Sequence, residues 1–245
     1  MLTKPATLTH SQLGCVKGNV DAVLPCMTDI FNSSLKEGIF PEMMKQAIVT
    51  PILKKTNSDW NDLQNYRPVS NIGFVSKVIE KAAMIQVDEY MQSNDLDEVN
   101  QSAYKNRHST ETALLKVTND IALALDENKA AFLIMLDLSA AFDTIDHDIL
   151  IHRLEHGFGI KGTALQWFRS YISGRKFRVS VGGVFSDYFD LKYGVPQGSI
   201  IGPRVFTMYS QNVASIIRRH SLYFHCYADD VQIYAIFNPN VPGDA

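Results

Sequence analysis

The chain has 245 residues, of which 46% are hydrophobic, and this length can bury a core in one large domain or two smaller ones. A formal net charge of −3 argues against a general polyanion binder, and the composition gives no sign of disorder. No apolar run approaches the about 18 residues that a membrane span requires, and the first residues contain no long apolar run, so we expect neither a membrane span nor a signal peptide.

The sequence contains three cysteines, Cys15, Cys26 and Cys226, without the paired spacing of metal ligands. An odd number in this pattern predicts neither a disulfide framework nor a zinc site. Free thiols of this kind fit a reducing, intracellular location.

Positive charge is concentrated in local segments. Such segments can hold a phosphate backbone while acidic surfaces elsewhere cancel the total, although each is equally interpretable as an ordinary solvated face. The clusters are Lys45, Lys54, Lys55 and Arg67; Arg169, Arg175, Lys176 and Arg178; and Arg218, Arg219 and His220.

The first predicted elements are a helix and a strand. Apolar residues recur at helical spacing over residues 19–36, and residues 45–53 follow as a short strand whose Pro51 predicts an edge position. The loop after this strand offers the ammonium groups of Lys54 and Lys55, which would suit the phosphates of a triphosphate.

Helical patterns occupy much of the next sixty residues. One pattern runs from Ile72 to Tyr90, and a second begins at residues 108–111, where Ser109 is an N-cap candidate. The second helix is expected to bury one face, made of Leu114, Val117, Ile121, Ala124 and Leu125.

A continuous apolar run at residues 131–138 is typical of a strand buried on both faces. Asp137 interrupts the run near its end, and an ionised carboxylate buried there would need a partner or a metal. Beyond it we predict a helix over 147–155 capped by Asp146, a helix over 163–173, and a hairpin of residues 177–181 and 188–193 about Gly182 and Gly183.

The last third of the chain contains a Gly/Pro-rich loop and a strand pair. The loop spans residues 194–203, where Gly198 would let a ligand approach the backbone and Gln197 would present an amide, and it leads into a helix predicted over 205–218. Strands are predicted at 222–227 and 231–237, with Asp229 and Asp230 at the turn between them. Asp is common in turns for conformational reasons alone. Together with Asp137, however, these residues would form a cage of hard oxygens suited to Mg²⁺.

Three of these segments also resemble known motifs. Residues 136–143 read Leu-Asp-Leu-Ser-Ala-Ala-Phe-Asp, residues 194–199 read Gly-Val-Pro-Gln-Gly-Ser, and residues 227–230 read Tyr-Ala-Asp-Asp. In this order and at these spacings they resemble the polymerase motifs of reverse transcriptases, and most closely those of non-LTR retrotransposons of the LINE type. Residues 45–55, 65–70 and 108–114 look like finger-region blocks of that group, so the resemblance covers about residues 20 to 237.

The resemblance implies an α+β fold, the right-hand polymerase, with an antiparallel palm sheet flanked by helices. On this interpretation residues 1–19 are an N-terminal segment, residues 20–130 form the fingers and residues 131–245 form an incomplete palm. The sequence ends about 15 residues after Asp230, so we expect the thumb to be absent. The expected protein is therefore a fragment or decayed copy of a retroelement reading frame, with its catalytic carboxylates intact and processive synthesis poor or absent.

The resemblance also implies roles for individual residues. Asp137 and Asp229 would hold two Mg²⁺ ions, for which Mn²⁺ is a substitute, and Asp230 would complete the acidic cluster. Phe142 would be the steric gate against a 2′-hydroxyl group. The remaining implied contacts are Gln197 and Gly198 along the nascent base pair and Lys54, Lys55 and Arg67 on the triphosphate.

The function implied is RNA-directed DNA polymerase, a nucleotidyltransferase whose partners are an RNA template, a DNA primer and dNTP. Its location would be intracellular, in the cytoplasm, the nucleus or both. One alternative is a catalytically inactive remnant that binds nucleic acid or a protein. Another is a nucleotidyl cyclase or related nucleotidyltransferase on the palm fold, which needs no template and against which Phe142 and the Pro196-Gln197-Gly198 sequence argue.

Overall fold

The structure is a computed structural model that describes residues 20–138 and 140–241. The chain divides into two compact units, each assembled from two stretches of sequence. Unit 1 comprises Met1–Asp95 and Phe142–Val205, and unit 2 comprises Leu96–Ala141 and Phe206–Ala245. The sequence predicts a single boundary between the fingers and the palm, after residue 130, whereas the chain passes between these units three times.

Unit 1 combines helices with a mixed sheet. Its helices are α1 (Val20–Glu37), α2 (Phe74–Ser93), α4 (His147–His156) and α5 (Gly162–Ile172), and its strands are β1 (Gln46–Leu53), β2 (Tyr66–Ile72), β4 (Lys176–Val181), β5 (Val184–Phe185) and β6 (Phe189–Asp190). The sheet order is β2-β1-β4-β5, and β6 also pairs with β4. The core includes Trp167 and Tyr171 of α5, whose rings stack at 5.6 Å between centroids.

Unit 2 is built on an antiparallel sheet of three strands in the order β3-β8-β7. The strands are β3 (Ala130–Asp137), β7 (Tyr223–Tyr227) and β8 (Asp230–Phe237), and the helices are α3 (Thr110–Asp126) and α7 (Asn212–Arg219), while α6 (Gly202–Ser210) crosses from unit 1 into unit 2. Ala214 and Ile217 of α7 pack against Phe224, Cys226 and Val231 of the sheet.

The expectation that β1 is an edge strand is wrong. β1 lies between β2, to which it is antiparallel, and β4, to which it is parallel. The parallel pairing ends at Val49, so Pro51 lies where β1 has β2 as its neighbour and its missing N–H interrupts no β1–β4 pairing. The proline therefore lies in a part of β1 that pairs with β2 on one side and has no β4 residue paired on the other.

The expectation that residues 131–138 are buried on both faces is also wrong. β3 is the edge strand of its sheet and is exposed from Phe132 to Asp137, with Met135 at 76% of its full exposure. Its continuous apolar run is typical of a covered strand, yet α3 packs on the sheet without covering β3 fully. Sequence pattern alone does not distinguish these two environments.

Two helices differ in detail from their predictions. In α3, Ala113, Val117 and Ala124 are buried, whereas Leu114 and Leu125 of the expected core face are exposed. The helix predicted over 205–218 is divided at Gln211 into α6 and α7. Ile72, expected in a helix, is the last residue of β2.

The predicted helix starts at Ser109 and Asp146 are confirmed. The Ser109 hydroxyl accepts a hydrogen bond from the Thr112 N–H in a capping box, and Asp146 accepts one from the Ile149 N–H at 2.9 Å. The hairpin about Gly182 and Gly183 is present as well, although its returning arm consists of the short strands β5 and β6.

Within the described ranges, none of the helices combines the length and apolar character needed to cross a membrane. Cys26 is an exposed free thiol and Cys226 a buried one. Burial raises the pKa of Cys226 to about 12, so its thiol is protonated at neutral pH. Cys15 and the predicted N-terminal segment lie outside the described residues.

Candidate active site

Two carboxylates of unit 2 lie side by side at one end of its sheet. Asp137 is the last residue of β3 and Asp230 is the first residue of β8, and they are direct partners in the antiparallel register. Side chains of such partners project from the same face of a sheet. The Leu138 N–H donates to the Asp229 carbonyl at 3.2 Å, which extends the pairing past the strand ends.

The third carboxylate belongs to the turn that joins β7 to β8. Tyr227 pairs with Asp230, so the turn consists of Ala228 and Asp229. Asp229 therefore follows directly after Ala228, which has φ of +55°, in the left-handed region that non-glycine residues rarely adopt. The predicted position of the Asp-Asp pair beside a tight turn agrees with this geometry.

Burial and neighbouring negative charges both act on the Asp230 carboxylate. Burial raises the pKa of Asp230, and the negative charges of Asp229 and Asp137 raise it further. Asp137 and Asp230 are exposed and Asp229 is half-buried. We expected the carboxylate in β3 to be buried in an apolar strand, but Asp137 is exposed. Like-charge repulsion from Asp229 and Asp137 adds to the effect of burial on Asp230.

Within the part of the chain that the structure describes, no group of three or more His, Cys, Asp or Glu side chains forms a ready metal cage. The carboxylates at the end of the sheet nevertheless fit a hard divalent cation in their chemistry. They supply oxygen ligands, and a cation would relieve the like-charge repulsion that, after burial, raises the pKa of Asp230.

Tyr104 borders the acidic cluster, a neighbour that the sequence patterns did not reveal. Burial raises the pKa of its hydroxyl, and the negative charge of Asp229 raises it further. The residue has φ of +60° and its side chain is about half exposed. It follows the segment at Gln101 that pairs with β7.

The first residues of the Gly/Pro-rich loop of unit 1 contact the backbone of Phe142. The Val195 N–H donates to the Phe142 carbonyl at 2.9 Å. Gly194 has φ of +79°, and a Cβ atom there would lie 2.5 Å from the same carbonyl oxygen. A glycine is therefore required at this position by both space and conformation.

Gln197 and Gly198 connect this loop to β2. The Ser70 N–H donates to the Gln197 carbonyl at 2.6 Å, and the Gln197 side-chain amide donates to Asp143 at 3.0 Å. Reduced hydration raises the pKa of Asp143, and the hydrogen bond from Gln197 opposes this rise. The Asp143 carboxylate thus orients the amide that was predicted to face the nascent base pair.

A cavity of about 250 Å³ lies beside these residues in unit 1. Its lining is mainly apolar, with buried Lys45 and Arg175 among its polar members. Residues of β1, β2, β4 and the Gly/Pro-rich loop contribute to it, including Ala47, Pro68, Ser70, Phe177 and Gln197.

The three basic residues predicted to contact a triphosphate occupy one hairpin of unit 1. Lys54 and Lys55 follow the end of β1, and Arg67 lies on β2 opposite Ile52. All three are exposed. The backbone of Lys54 is anchored because its N–H donates to the Asn65 carbonyl at 2.8 Å.

The predicted site residues are thus distributed over both units. Unit 2 brings together the carboxylates, namely Asp137, Asp229 and Asp230, and unit 1 contains Lys54, Lys55, Arg67, Phe142, Gln197 and Gly198. Their predicted roles toward substrates stay predictions. Sequence reasoning did not identify Ser70, Asp143 or Tyr104, because their importance arises from contacts with residues distant in sequence.

The chain is similar to a known protein family and to two described polymerases of mobile elements. Residues 52–238 match the family described as reverse transcriptase (RNA-dependent DNA polymerase). The chain is 28% identical over 218 residues to the RNA-directed DNA polymerase from mobile element jockey of Drosophila funebris, which covers 87% of this chain and 24% of that protein. It is 27% identical over 187 residues to the probable RNA-directed DNA polymerase from transposon X-element of Drosophila melanogaster, covering 76% of this chain and 20% of that protein.

A solved structure shares the fold. Apo telomerase from Candida tropicalis, truncated from its C-terminal domain, superposes with a TM-score of 0.55 at 13% identity, over 80% of this chain and 45% of that one. The chain spans about a quarter of the length of the jockey protein that it matches.

Proposed function

Because the chain belongs to the reverse transcriptase (RNA-dependent DNA polymerase) family, we propose that it contains the catalytic core of an RNA-directed DNA polymerase. The reaction would join a dNTP to the 3′-hydroxyl of a DNA primer on an RNA template. The observation that carries the proposal is the pairing of Asp137 with Asp230 beside the turn that contains Asp229. Two distant polymerase motifs meet there in one sheet.

The carboxylates would hold the catalytic metal. Asp137 and Asp229 are the proposed main ligands of two Mg²⁺ or Mn²⁺ ions, and Asp230 is the proposed auxiliary one. When bound, such ions lower the pKa of the attacking hydroxyl and neutralise the leaving pyrophosphate. The negative charges of Asp229 and Asp137, which together with burial disfavour the ionised form of Asp230, support this assignment, because a bound cation would offset them.

Unit 1 would supply substrate contacts. The hairpin of β1 and β2 is the proposed fingers element, and its Lys54, Lys55 and Arg67 would meet the triphosphate. Phe142 is the proposed gate against a 2′-hydroxyl group. Gln197 would line the nascent base pair, and its hydrogen bond to Asp143 would hold the amide in one orientation.

The sheet of unit 2, with α3 and α7 packed on it, is the proposed palm. An RNA template and a DNA primer would be held mainly through backbone contacts, as copying any sequence requires. We further propose that the protein works inside the cell, in the cytoplasm or the nucleus, and imaging of a tagged copy that found it only outside cells would contradict this.

The test is Mg²⁺-dependent incorporation of labelled dNTP on a primed RNA. We expect extension by the unmodified chain, and a loss of about a hundredfold or more for Asp137→Asn and Asp229→Asn, because each removes a charged metal ligand. Asp126→Asn, which changes an exposed carboxylate at the end of α3, is the matched control and should retain its rate.

Binding of the same primer–template by fluorescence anisotropy separates the alternatives. If the unmodified chain binds but does not extend, the chain is an inactive remnant that binds nucleic acid. Turnover of a nucleoside triphosphate with neither template nor primer, with release of pyrophosphate, would favour the nucleotidyl cyclase or a related nucleotidyltransferase class instead. Equal extension by Asp229→Asn and the unmodified chain would refute the carboxylate assignment.

A further inference from the structure

The turn that carries Asp229 has a conformation that requires support. Its first residue, Ala228, has φ of +55°, and a non-glycine residue stays in this region only where the surroundings hold it. Because the direction of the Asp229 side chain depends on the backbone of the residue before it, whatever holds Ala228 also orients this carboxylate.

Gln101 provides that support through its side-chain amide. Its Oε1 accepts hydrogen bonds from the Ala228 N–H at 3.0 Å and from the Ala103 N–H at 2.9 Å, and its Nε2 donates to the Ala228 carbonyl at 3.3 Å. Both polar backbone atoms of Ala228 are therefore bonded by one side chain. The orientation of the amide is determined, since the reversed one would face two N–H donors with an NH₂ group.

The backbone of Gln101 is itself anchored to β7. The Cys226 N–H donates to the Asn100 carbonyl at 2.7 Å, and the Ser102 N–H donates to the Cys226 carbonyl at 3.0 Å. The buried Ser102 hydroxyl also lies 2.8 Å from His225 Nε2. Gln101 is 7% exposed, so little water competes for its amide.

We propose that Gln101 is a positioning residue for nucleotidyl transfer, which acts by holding Ala228 in its left-handed conformation and so aiming Asp229 at the metal site. This inference rests on the proposed function. It differs from a purely structural role, in which Gln101 would stabilise the hairpin without affecting how Asp229 engages a cation.

The first test is Gln101→Met, which keeps the length of the side chain and removes all three hydrogen bonds. Hydrogen exchange of individual amides should show a loss of protection of about tenfold or more at Ala228 and Ala103, while the Ser102 and Cys226 amides keep theirs. Gln211→Met is the matched control, since it removes a side-chain hydrogen bond to the Leu96 carbonyl in the same unit.

The second test follows the metal. In a Mn²⁺ titration read from the broadening of the Asp229 and Asp230 amide signals, Gln101→Met should need a severalfold higher concentration than the unmodified chain. In primer extension, kcat should fall by about tenfold and the Mg²⁺ requirement should rise, while the Kd for primer–template stays within about twofold. Gln211→Met should match the unmodified chain in each measurement.

The outcomes separate the two claims. If the unmodified chain binds Mn²⁺ but does not extend a primer, the proposed activity fails for this chain and the Mn²⁺ titration still decides the role of Gln101. Unchanged exchange at Ala228, or unchanged Mn²⁺ binding in Gln101→Met, would overturn the inference, as would absence of Mn²⁺ binding by the unmodified chain.

If Gln101→Met does not fold, Gln101→Glu replaces it, because that variant keeps the acceptor for both N–H groups and loses the donor to the Ala228 carbonyl. It should raise exchange at Ala228 relative to the unmodified chain, and unchanged exchange and Mn²⁺ binding would again overturn the inference.

Discussion

Gly198 lies so close to Ser70 that a Cβ atom on the glycine would be 2.5 Å from the Ser70 carbonyl oxygen. The neighbouring contact, from the Ser70 N–H to the Gln197 carbonyl at 2.6 Å, holds the two segments together. Gly198 also has φ of +123°, which side chains rarely permit. The sequence predicts that Gly198 lets a ligand approach the backbone, which stays a prediction, and the close approach that the structure shows at this glycine is made by the backbone of β2.

Gly198→Ala should therefore destabilise unit 1. We expect a loss of about 1–3 kcal/mol in the free energy of unfolding, because the variant combines a steric clash with a strained backbone. Gly73→Ala is the matched control, since a Cβ there meets nothing within 4 Å, and it should change stability by less than about 0.5 kcal/mol. Urea denaturation measures both, and equal effects would refute the role of the Ser70 contact.

Tyr234→Phe should weaken the packing of α3 on its sheet. The buried Tyr234 hydroxyl donates to the Asp120 carboxylate, and we expect a loss of about 1–3 kcal/mol when this charged hydrogen bond is removed. Tyr223→Phe is the control, because Tyr223 is the exposed cross-strand partner whose ring stacks on Tyr234. Chemical denaturation of the two variants should separate them clearly.

The effect of Tyr234→Phe should also depend on pH. Burial raises the pKa of Asp120, but hydrogen bonds from Lys116 and Tyr234 outweigh it, so the pKa of Asp120 is lowered from its usual 3.8. A carboxyl with a lowered folded pKa contributes stability above its unfolded pKa and loses it as the pH falls through the folded one. The difference in the free energy of unfolding between Tyr234→Phe and the unmodified chain should thus be largest near neutral pH. It should shrink as the pH falls below the usual pKa of an aspartate. A difference that grows toward acid pH would contradict this account.

Asp230→Asn should stabilise the metal-free protein slightly at neutral pH. Burial and the charges of Asp229 and Asp137 raise the pKa of Asp230. The stability that protonated Asp230 contributes is therefore lost as the pH rises through the raised pKa. The uncharged amide of the variant does not undergo this loss. Since Asp230 is exposed, the gain is about 0.2–1 kcal/mol. Thermal melting with and without Mg²⁺ tests this, and Mg²⁺ should stabilise the unmodified chain more than the variant. Destabilisation of the metal-free variant would show that burial and the charges of Asp229 and Asp137 do not disfavour the ionised form of Asp230.

Phe142→Val should relax sugar selection if the proposed function holds. Removing the ring would open space for a 2′-hydroxyl group, and discrimination between dNTP and rNTP should fall by on the order of tenfold to a hundredfold. The ratio of kcat/KM values for the two substrates is the measurement. Phe189→Val, at an exposed ring on β6, is the control, and an unchanged ratio in Phe142→Val would exclude the gate.

Local structure was largely predictable from the sequence. The caps at Ser109 and Asp146, the strand pair around the Asp-Asp sequence and the turn at Gly182 each depend on residues within a few positions, so the information lies in the local pattern. The order and spacing of the three motifs likewise indicated the family before any contact was known.

What only the tertiary structure decided concerns residues distant in sequence. The apolar run of β3 does not reveal that the strand lies exposed at a sheet edge, and Pro51 does not reveal that β1 has a parallel neighbour. The contact of Gly198 with Ser70, and that of Gln101 with Ala228, join segments separated by more than a hundred residues. Periodicity and capping reflect interactions within one helix or strand. The contacts of Gly198 with Ser70 and of Gln101 with Ala228 form only when the whole chain has packed, and they orient the candidate site.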